Sequence, residues 1–280
     1  TGTIVNTAVA GSSLTLTVVG AETVTGTAND DTITGTFETG NAGTFNPADT
    51  ISGGAGFDTL DITDTVGQAM TPADGSWAGI TGIEKISTHQ TAAGALNIIT
   101  GAAFNTAFAT NGVVLTTETS SAGVSTIDMS AFTGNTVITA TTGGAGAHNI
   151  TTGSTTGTVA IVTSTTTGGA QTIKGPNLVT VRATSNGAGD QTIGDAIGGG
   201  ANLGTVTAIQ AGAGSQTVTS TSASAVTVTA TNVGTAGNQA IVTGAGADTV
   251  RVQYIGGTTN AVTTNAGNDT ITLLATAGAA

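Results

Sequence analysis

One pattern recurs through the second half of the chain. It consists of a glycine-rich turn, a polar residue, a small or amide residue and then a large aliphatic residue. Five copies end, at nearly even intervals, at Ile150, Ile173, Ile193, Val218 and Ile241. A period of about 23 residues is typical of solenoids, in which one repeat cannot bury its apolar face alone but stacked repeats can. The period therefore predicts a stacked architecture.

A second run of alternating apolar and polar residues lies between consecutive copies, for example at 205–209 and 225–229. Such alternation is typical of a strand with one buried face, so each unit is expected to hold two strands and two turns. We predict an all-β fold, a right-handed parallel β-solenoid, with about six coils over residues 140–275 and about 4.8 Å of length per coil. An antiparallel β-sandwich with glycine-rich turns is the alternative.

The regularity of the pattern divides the chain into three parts. Residues 141–280 carry the regular coils, residues 1–65 form an N-terminal β region with related turns, and residues 66–140 are predicted to be irregular connecting coils with insertions. The middle part contains Trp77, which we expect to pack in a loop, and the best helix candidate, Ala102 to Ala109.

The charged residues are few and mostly acidic. The 280 residues include 16 Asp and Glu and only four Lys and Arg, which gives a formal net charge of −12. We expect no nucleic-acid partner, because affinity for phosphate needs clustered basic residues. No membrane span is expected either, since no apolar run approaches about 18 residues. The absence of Cys excludes disulfides, thiol catalysis and Cys-ligated zinc.

The segment 53–61 matches the nonapeptide G-G-x-G-x-D-x-U-x, in which U is a large aliphatic residue. In such a turn the glycines let backbone carbonyl oxygens face a cation, and the Asp adds a carboxylate. The aliphatic residue, here Leu60, anchors the next strand in the core. Two such turns on successive coils complete a cage of oxygen atoms. The motif predicts a calcium site that includes Gly54, Gly56 and Asp58.

Three more turns resemble this nonapeptide with one glycine replaced, one upstream of it and two near the end of the sequence. Their acids fall about one coil apart, so that Asp31 is paired with Asp58, and Asp248 with Asp269. We expect Ca²⁺ at each pair. The alternative is a plain Asx turn, in which each Asp accepts a backbone N–H. The candidate metal ligands in the four turns are Asp30, Asp31, Gly54, Gly56, Asp58, Gly246, Asp248, Gly267 and Asp269.

In the regular coils, the position that corresponds to the motif Asp holds an uncharged polar residue. It is occupied by His148, Gln171, Gln191, Gln216 and Gln239. A Gln side chain can hydrogen-bond to the Gln of the next coil but offers no charge to a cation. We therefore expect an amide ladder in these coils, and no metal.

The acidic turns resemble the calcium-binding repeats of RTX proteins. The Gly-, Thr- and Ala-rich remainder, and the run 80–86 after a calcium-type repeat, resemble bacterial surface-layer (S-layer) proteins of that group and their relatives. The resemblance implies type I secretion, folding that needs extracellular calcium, and assembly into lattices, fibres or adhesins. The sequence departs from the RTX pattern because the exact nonapeptide is not repeated in tandem.

We therefore expect a structural, self-assembling extracellular protein on the bacterial cell surface, either an S-layer or a filament subunit. Its expected partners are further copies of itself, joined through solenoid ends or edge strands, and cell-surface polysaccharide. The first alternative is an adhesin module that binds carbohydrate or a surface. An ice-binding solenoid is weaker, although outward Thr-x-Thr runs such as 227–229 could order water. A polysaccharide-active enzyme is also weak, and we expect no enzyme activity, because neither His89 nor His148 lies at a repeat spacing that would bring it together with the few Lys and Arg residues.

Overall fold

The computed structural model describes residues 2–5, 10–17, 19–40, 42–64, 67–91, 94–120, 122–153, 160–194, 202–255 and 259–274. The fold is an all-β solenoid of about 11 turns, with 48% of the chain in strands and 4% in helices. Within the described ranges, every pair of neighbouring strands is parallel. The solenoid prediction is confirmed, and the antiparallel sandwich is excluded.

One wall of the solenoid is a single 12-stranded sheet, to which each coil contributes one strand. We refer to it as the long sheet. Its strands are β2 Ser13–Thr15, β4 Thr32–Phe37, β6 Thr59–Asp64, β8 Lys85–Gln90, β10 Val113–Thr119, β12 Thr136–Thr142, β14 Ala160–Thr166, β16 Leu178–Ser185, β18 Thr205–Gln210, β20 Thr227–Asn232, β22 Thr249–Tyr254 and β24 Thr270–Leu273.

The other wall consists of two separate sheets. A four-stranded N-terminal sheet contains β1 Gly2–Val5, β3 Glu22–Thr25, β5 Thr50–Ser52 and β7 Ile80–Thr81. An eight-stranded C-terminal sheet contains β9 Leu96–Ile99, β11 Ser125–Asp128, β13 His148–Thr151, β15 Gln171–Lys174, β17 Gln191–Ile193, β19 Gln216–Thr219, β21 Gln239–Val242 and β23 Asn260–Thr263. The second wall therefore changes sheets between β7 and β9, whereas the long sheet continues past this junction.

The core is a column of aliphatic side chains that repeats from coil to coil. The five aliphatic residues that revealed the period are paired in register along the C-terminal sheet and are buried. The facing residues of the long sheet, such as Val206, Val228 and Val250, stack in the same way. Strands β13 to β24 make six coils, as the spacing predicted.

The irregular middle part packs an aromatic cluster at the side of the solenoid. The predicted helix is present as α1, Ala102–Phe108, and it packs beside a 3-10 helix, Asp74–Trp77. Asp74 caps α1 by accepting two backbone N–H groups of its first turn, at 2.9 and 3.1 Å. Trp77 is fully buried, and its ring centroid lies 5.3 Å from that of Phe104. Neither helix in the described ranges is long enough to cross a membrane.

The predicted amide ladder is present in the C-terminal sheet. The side-chain amide of Gln191 donates to Gln171 Oε1 at 2.9 Å, Gln216 donates to Gln191 at 2.9 Å, and Gln239 donates to Gln216 at 2.7 Å. All four side chains are buried. Each amide nitrogen also donates to a backbone carbonyl of the long sheet, at 3.0 to 3.1 Å. The ladder therefore joins neighbouring coils and also the two walls.

His148 occupies the ladder position one coil before Gln171. Its Nδ1 lies 2.7 Å from the hydroxyl of Ser164. Burial lowers the pKa of His148 to about 4, so the ring is neutral near pH 7. A neutral imidazole can take the place of an amide because it also offers one donor and one acceptor.

The amide ladder predicts the effect of Gln191→Leu. The substitution leaves the buried Gln171 Oε1 without its donor and removes the acceptor used by Gln216, so we expect a loss of about 1–3 kcal/mol of unfolding free energy. Thr192→Ala, on the outward face of the same strand, should change the unfolding free energy by less than about 0.5 kcal/mol. Urea unfolding followed by circular dichroism measures both. Equal stability of Gln191→Leu and the parent would show that the ladder contributes nothing.

Candidate calcium-binding turns

The four acidic turns all lead into strands of the long sheet. Asp31 precedes β4, Asp58 precedes β6, Asp248 precedes β22 and Asp269 precedes β24. The Gln and His residues of the amide ladder instead begin strands of the C-terminal sheet. The interpretation that Asp and Gln occupy the same position in successive coils is therefore wrong, because the two series lie on opposite edges of the solenoid.

The two series look alike in sequence for a physical reason. Any turn that feeds a strand into either wall needs glycine for close packing on the next coil, a polar residue to satisfy the turn, and an inward aliphatic residue. In coils near the C-terminal end both turns occur, with Gln239 at one edge and Asp248 at the other. The position of the turn within the coil, and not the local motif, therefore distinguishes the two series.

The predicted acid pairs lie on adjacent coils and are joined by hydrogen bonds. The backbone N–H of Asp31 donates to Asp58 Oδ1 at 2.7 Å, and the N–H of Asp248 donates to Asp269 Oδ1 at 2.9 Å. The first ladder extends one coil further, because the N–H of Asp58 donates to Glu84 Oε2 at 2.9 Å. Each acid thus binds the turn of the coil before it.

Glu84 belongs to this ladder, although the nonapeptide motif does not identify it. It follows Asp58 at almost the same interval in sequence as Asp58 follows Asp31, and it comes shortly after Gly82. The coil spacing was therefore the available signal. The nonapeptide could not find Glu84 because it requires an Asp and an additional glycine.

Two of the carboxylates have a buried oxygen without a hydrogen-bond donor. Asp58 and Asp248 are 0% and 1% exposed, and their Oδ2 atoms accept no hydrogen bond from the described part of the chain. Asp31 differs, because its Oδ2 accepts the backbone N–H and the hydroxyl of Thr27. A buried carboxylate oxygen without a donor is unfavourable unless a proton or a cation compensates it.

The pKa values of Asp31 and Asp58 move in opposite directions. Burial raises the pKa of Asp58 above 3.8, and the charges of Glu84, Asp31 and Asp30 raise it further. Burial also acts to raise the pKa of Asp31, but hydrogen bonds from Thr27 and Ser12 outweigh it, and this pKa lies below 3.8. Of these two acids, Asp58 is therefore the one that gains more from a bound cation.

Glycine brings oxygen atoms of different coils together at these turns. A Cβ added to Gly53 would lie 2.5 Å from Asp58 Oδ2 and 1.9 Å from the carbonyl oxygen of Gly82. A Cβ on Gly54, which has φ +108°, would lie 1.8 Å from the carbonyl oxygen of Thr27. Only glycine leaves room at these two positions, and beside Gly53 a carbonyl oxygen and a carboxylate oxygen approach the same point.

The remaining predicted ligands are three glycines and one Asp of the acidic turns. Gly56 and Gly267 have φ of +125° and +139°, and Gly246 packs against Ser224 of the preceding coil. The exposed Asp30 accepts the backbone N–H of Phe57 at 2.8 Å, which is the behaviour expected of a turn acid.

The oxygen set at the acidic turns fits calcium better than a metal held by side chains. At the described acidic turns, no group of three or more His, Asp or Glu side chains is close enough to hold an ion by side chains alone. Calcium accepts backbone carbonyl oxygens together with carboxylates, and both are present at these turns. In a calcium complex, Asp58 and Asp248 would supply the carboxylate oxygens, and the glycine-rich turns would supply carbonyls.

The backbone at Gly54 provides a test of the turn geometry. Gly54→Ala places a Cβ against the Thr27 carbonyl at a positive φ, so we expect a loss of about 1–3 kcal/mol or more. Gly75→Ala is the matched control, since a Cβ there meets no atom within 4 Å. We expect Gly75→Ala to be neutral or slightly stabilising. Thermal melting of the two variants should separate them, and similar melting temperatures would contradict the geometry.

The opposite pKa directions predict a pH dependence in calcium-free buffer. The unfolded chain releases the Asp58 proton near pH 3.8, whereas the folded chain holds it to higher pH, so the contribution of Asp58 to stability falls as the pH rises between these values. Asp31 acts in the opposite sense: its contribution is present above pH 3.8 and is lost as the pH falls through its lowered pKa.

Asp58→Asn should therefore flatten the decline in melting temperature above pH 3.8, and Asp31→Asn should not. Melting curves of the parent and both variants, recorded across the acidic range with chelator present, measure the difference. The prediction fails if Asp58→Asn declines as steeply as the parent.

No family model, curated protein or solved structure matches this chain. The inference of function therefore depends on the geometry of the chain itself.

Proposed function

We propose that this chain is a structural, self-assembling extracellular protein, a subunit of a bacterial S-layer or filament whose acidic turns bind calcium. Export through a type I system to the cell surface belongs to this proposal, because the resemblance of the turns to RTX repeats implies it. The observation that carries the proposal is the pair of buried carboxylate oxygens, in Asp58 and Asp248, that accept no hydrogen bond from the described residues.

Calcium at these turns would reduce the repulsion between the negative charges of the folded chain. The chain has a formal net charge of −12, and self-repulsion of this kind opposes a compact state. In the first ladder Asp31, Asp58 and Glu84 follow one another on successive coils. A cation between two coils neutralises carboxylates and also ties the coils together. The fold then depends on an ion that is abundant outside the cell and scarce within it.

Assembly would use the outer strands of the described solenoid. By register with Val250 and Val252, Ile271 and Leu273 of β24 face the core, yet they are 47% and 68% exposed. Core-facing aliphatic side chains and the backbone edge of β24 offer a second copy both apolar contact and a parallel ladder. Stacking of copies on such strands extends the long sheet from one molecule to the next.

An adhesin is the second candidate, and a surface depression favours it. Phe57, Val137 and Ile161 are 46%, 38% and 38% exposed and line a depression together with Asn111 and Asn135. Apolar faces beside amide side chains suit a carbohydrate, such as a cell-surface polysaccharide. Binding of the parent to a glycan array, lost in Phe57→Ser, would favour this candidate over a purely structural role.

The calcium proposal predicts ion-dependent stability. Calcium at about 100 times its dissociation constant should stabilise the fold by about 2.7 kcal/mol per site. Asp58→Asn and Asp248→Asn should each reduce the rise in melting temperature between EGTA and calcium buffers. Asp190→Asn is the matched control, because Asp190 also accepts a backbone N–H of the next coil, from Ser215 at 2.7 Å, but lies in a turn of the amide ladder. A parent protein whose melting is the same in EGTA and in calcium would refute the proposal.

The assembly proposal predicts that a charge on the core-facing side of β24 blocks polymers. Leu273→Lys should leave the circular dichroism spectrum unchanged and prevent the growth of lattices or fibres, because stacking would bury the ammonium group. Thr272→Lys, one residue away on the outward face, should assemble like the parent. Electron microscopy and light scattering in calcium buffer measure both. Assembly of Leu273→Lys at the rate of the parent would exclude this strand as the contact.

A further inference from the structure

A cluster of polar side chains lies on the outer face of the long sheet, away from the acidic turns. Asp61 is on β6, Ser87 and His89 are on β8, and Glu118 is on β10. The register pairs Asp61 with Ser87 and His89 with Glu118 across neighbouring coils. Three side chains, one from each of three strands, therefore meet around the imidazole ring of His89. The sequence does not reveal this meeting, because the residues are separated by irregular coil lengths.

Both nitrogens of the His89 ring have polar neighbours. Nδ1 lies 3.1 Å from Glu118 Oε2, while Nε2 lies 3.0 Å from Asp61 Oδ1 and 3.2 Å from the hydroxyl oxygen of Ser87. An ionised carboxylate can only accept, so the contact with Glu118 places a proton on Nδ1. In the neutral ring, Nε2 then carries a lone pair and faces Asp61 and Ser87.

The contact between Asp61 and His89 is close, but it is not a hydrogen bond. Asp61 Oδ1 is shielded from solvent and accepts no hydrogen bond from the described residues, although Nε2 is only 3.0 Å away. The ring nitrogen is therefore not aimed along the line to the oxygen. Two lone-pair-bearing atoms at this distance repel each other unless a proton on the ring, which makes the contact an ion pair, or a metal ion lies beside them.

The separations of Asp61 and Ser87 from the ring nitrogen match those of neighbouring ligands on one metal ion. Ligands at about 2.0–2.2 Å from a metal are about 3.0–3.5 Å apart when the angle between them is about 90° to 109°. Asp61 Oδ1 and Ser87 Oγ lie at 3.0 and 3.2 Å from His89 Nε2. A metal beside these three atoms would remove the repulsion and satisfy the unpartnered oxygen.

We propose that His89 Nε2, Asp61 Oδ1 and Ser87 Oγ form a site for a divalent transition-metal ion such as Zn²⁺. Imidazole nitrogen is a ligand that Zn²⁺, Ni²⁺ and Cu²⁺ accept readily, whereas Ca²⁺ takes oxygen ligands. Glu118 is a positioning residue, because its carboxylate holds the ring with Nε2 directed at the metal. The side chains of His89 and Asp61 are about one-third exposed, so water can complete the coordination.

A hydrolytic role for the same residues is not supported by the local backbone. The sequence of contacts from Ser87 to His89 to Glu118 has the order of a serine nucleophile, a base and an orienting acid. However, β8 is paired on both sides, so its N–H groups are used in the sheet ladders. A developing oxyanion near Ser87 would then find no free backbone donor of this strand.

The location suggests what a bound metal would do. Strand β8 follows β7, the last strand of the N-terminal sheet, and precedes β9, the first strand of the C-terminal sheet. A metal bound to β6 and β8, with β10 attached through Glu118, fastens three strands of the long sheet where the opposite wall is interrupted. Zinc binding is therefore expected to raise the melting temperature as well as to occupy the site.

Calorimetric titration of the EDTA-stripped full chain with Zn²⁺ tests the proposal, with calcium present throughout to saturate any calcium sites. We expect one equivalent to bind to the parent, no binding to His89→Gln, and clearly weaker binding to Asp61→Asn. Glu118→Gln should weaken binding by about 10–100-fold, as the loss of an orienting carboxylate does. Co²⁺ as a spectroscopic probe should give visible ligand-field bands in the parent and none in His89→Gln.

His148→Gln is the matched control, because it alters the other histidine to the residue that neighbouring coils carry. It should bind Zn²⁺ like the parent. The proposal is overturned if the parent does not bind, or if both His89→Gln and Asp61→Asn bind as the parent does. Asp61→Asn is nearly isosteric and keeps the test informative should His89→Gln fold poorly. Calcium-dependent melting and assembly are measured separately, so this site can fail while the proposed function stands.

Discussion

Parallel pairing of each strand with the strand one coil away is the interaction on which the rest of the structure depends. In-register pairing places each inward side chain over its equivalent in the next coil, so equivalent side chains lie in line along the solenoid axis. Aliphatic positions become columns, as from Ile150 to Ile241. Burial of a polar residue costs free energy unless its neighbours in the column, a proton or an ion satisfy it.

The two polar columns meet this requirement in different ways. A Gln amide both donates and accepts, so along the series Gln171, Gln191, Gln216 and Gln239 each of the first three carbonyl oxygens accepts from the next amide without any charge. A carboxylate only accepts. The Asp and Glu column therefore takes donors from the backbone of the preceding turn and leaves the Oδ2 atoms of Asp58 and Asp248 unsatisfied by the described residues. The amide column is structural by itself, whereas the acidic column needs a proton or a cation.

The change of sheet in the second wall explains the position of the less regular features. The aromatic cluster around Trp77 and helix α1 both lie near the junction between β7 and β9, where the four-stranded sheet gives way to the eight-stranded one. The cluster around His89 lies on the long sheet at the same level. Side chains from different coils come together in both clusters near this junction.

The sequence by itself determined the solenoid, its period in the C-terminal half, the amide ladder, helix α1 and the pairing of Asp31 with Asp58 and of Asp248 with Asp269. These follow from periodicity, which is local information repeated along the chain. Only the tertiary structure decided that acidic and amide turns lie on opposite edges, that Glu84 continues the acidic ladder, and that His89 meets Asp61 and Glu118. The physical reason is register: coil lengths vary, so the partner of a residue one coil away is set by backbone pairing between strands and not by a fixed number of residues.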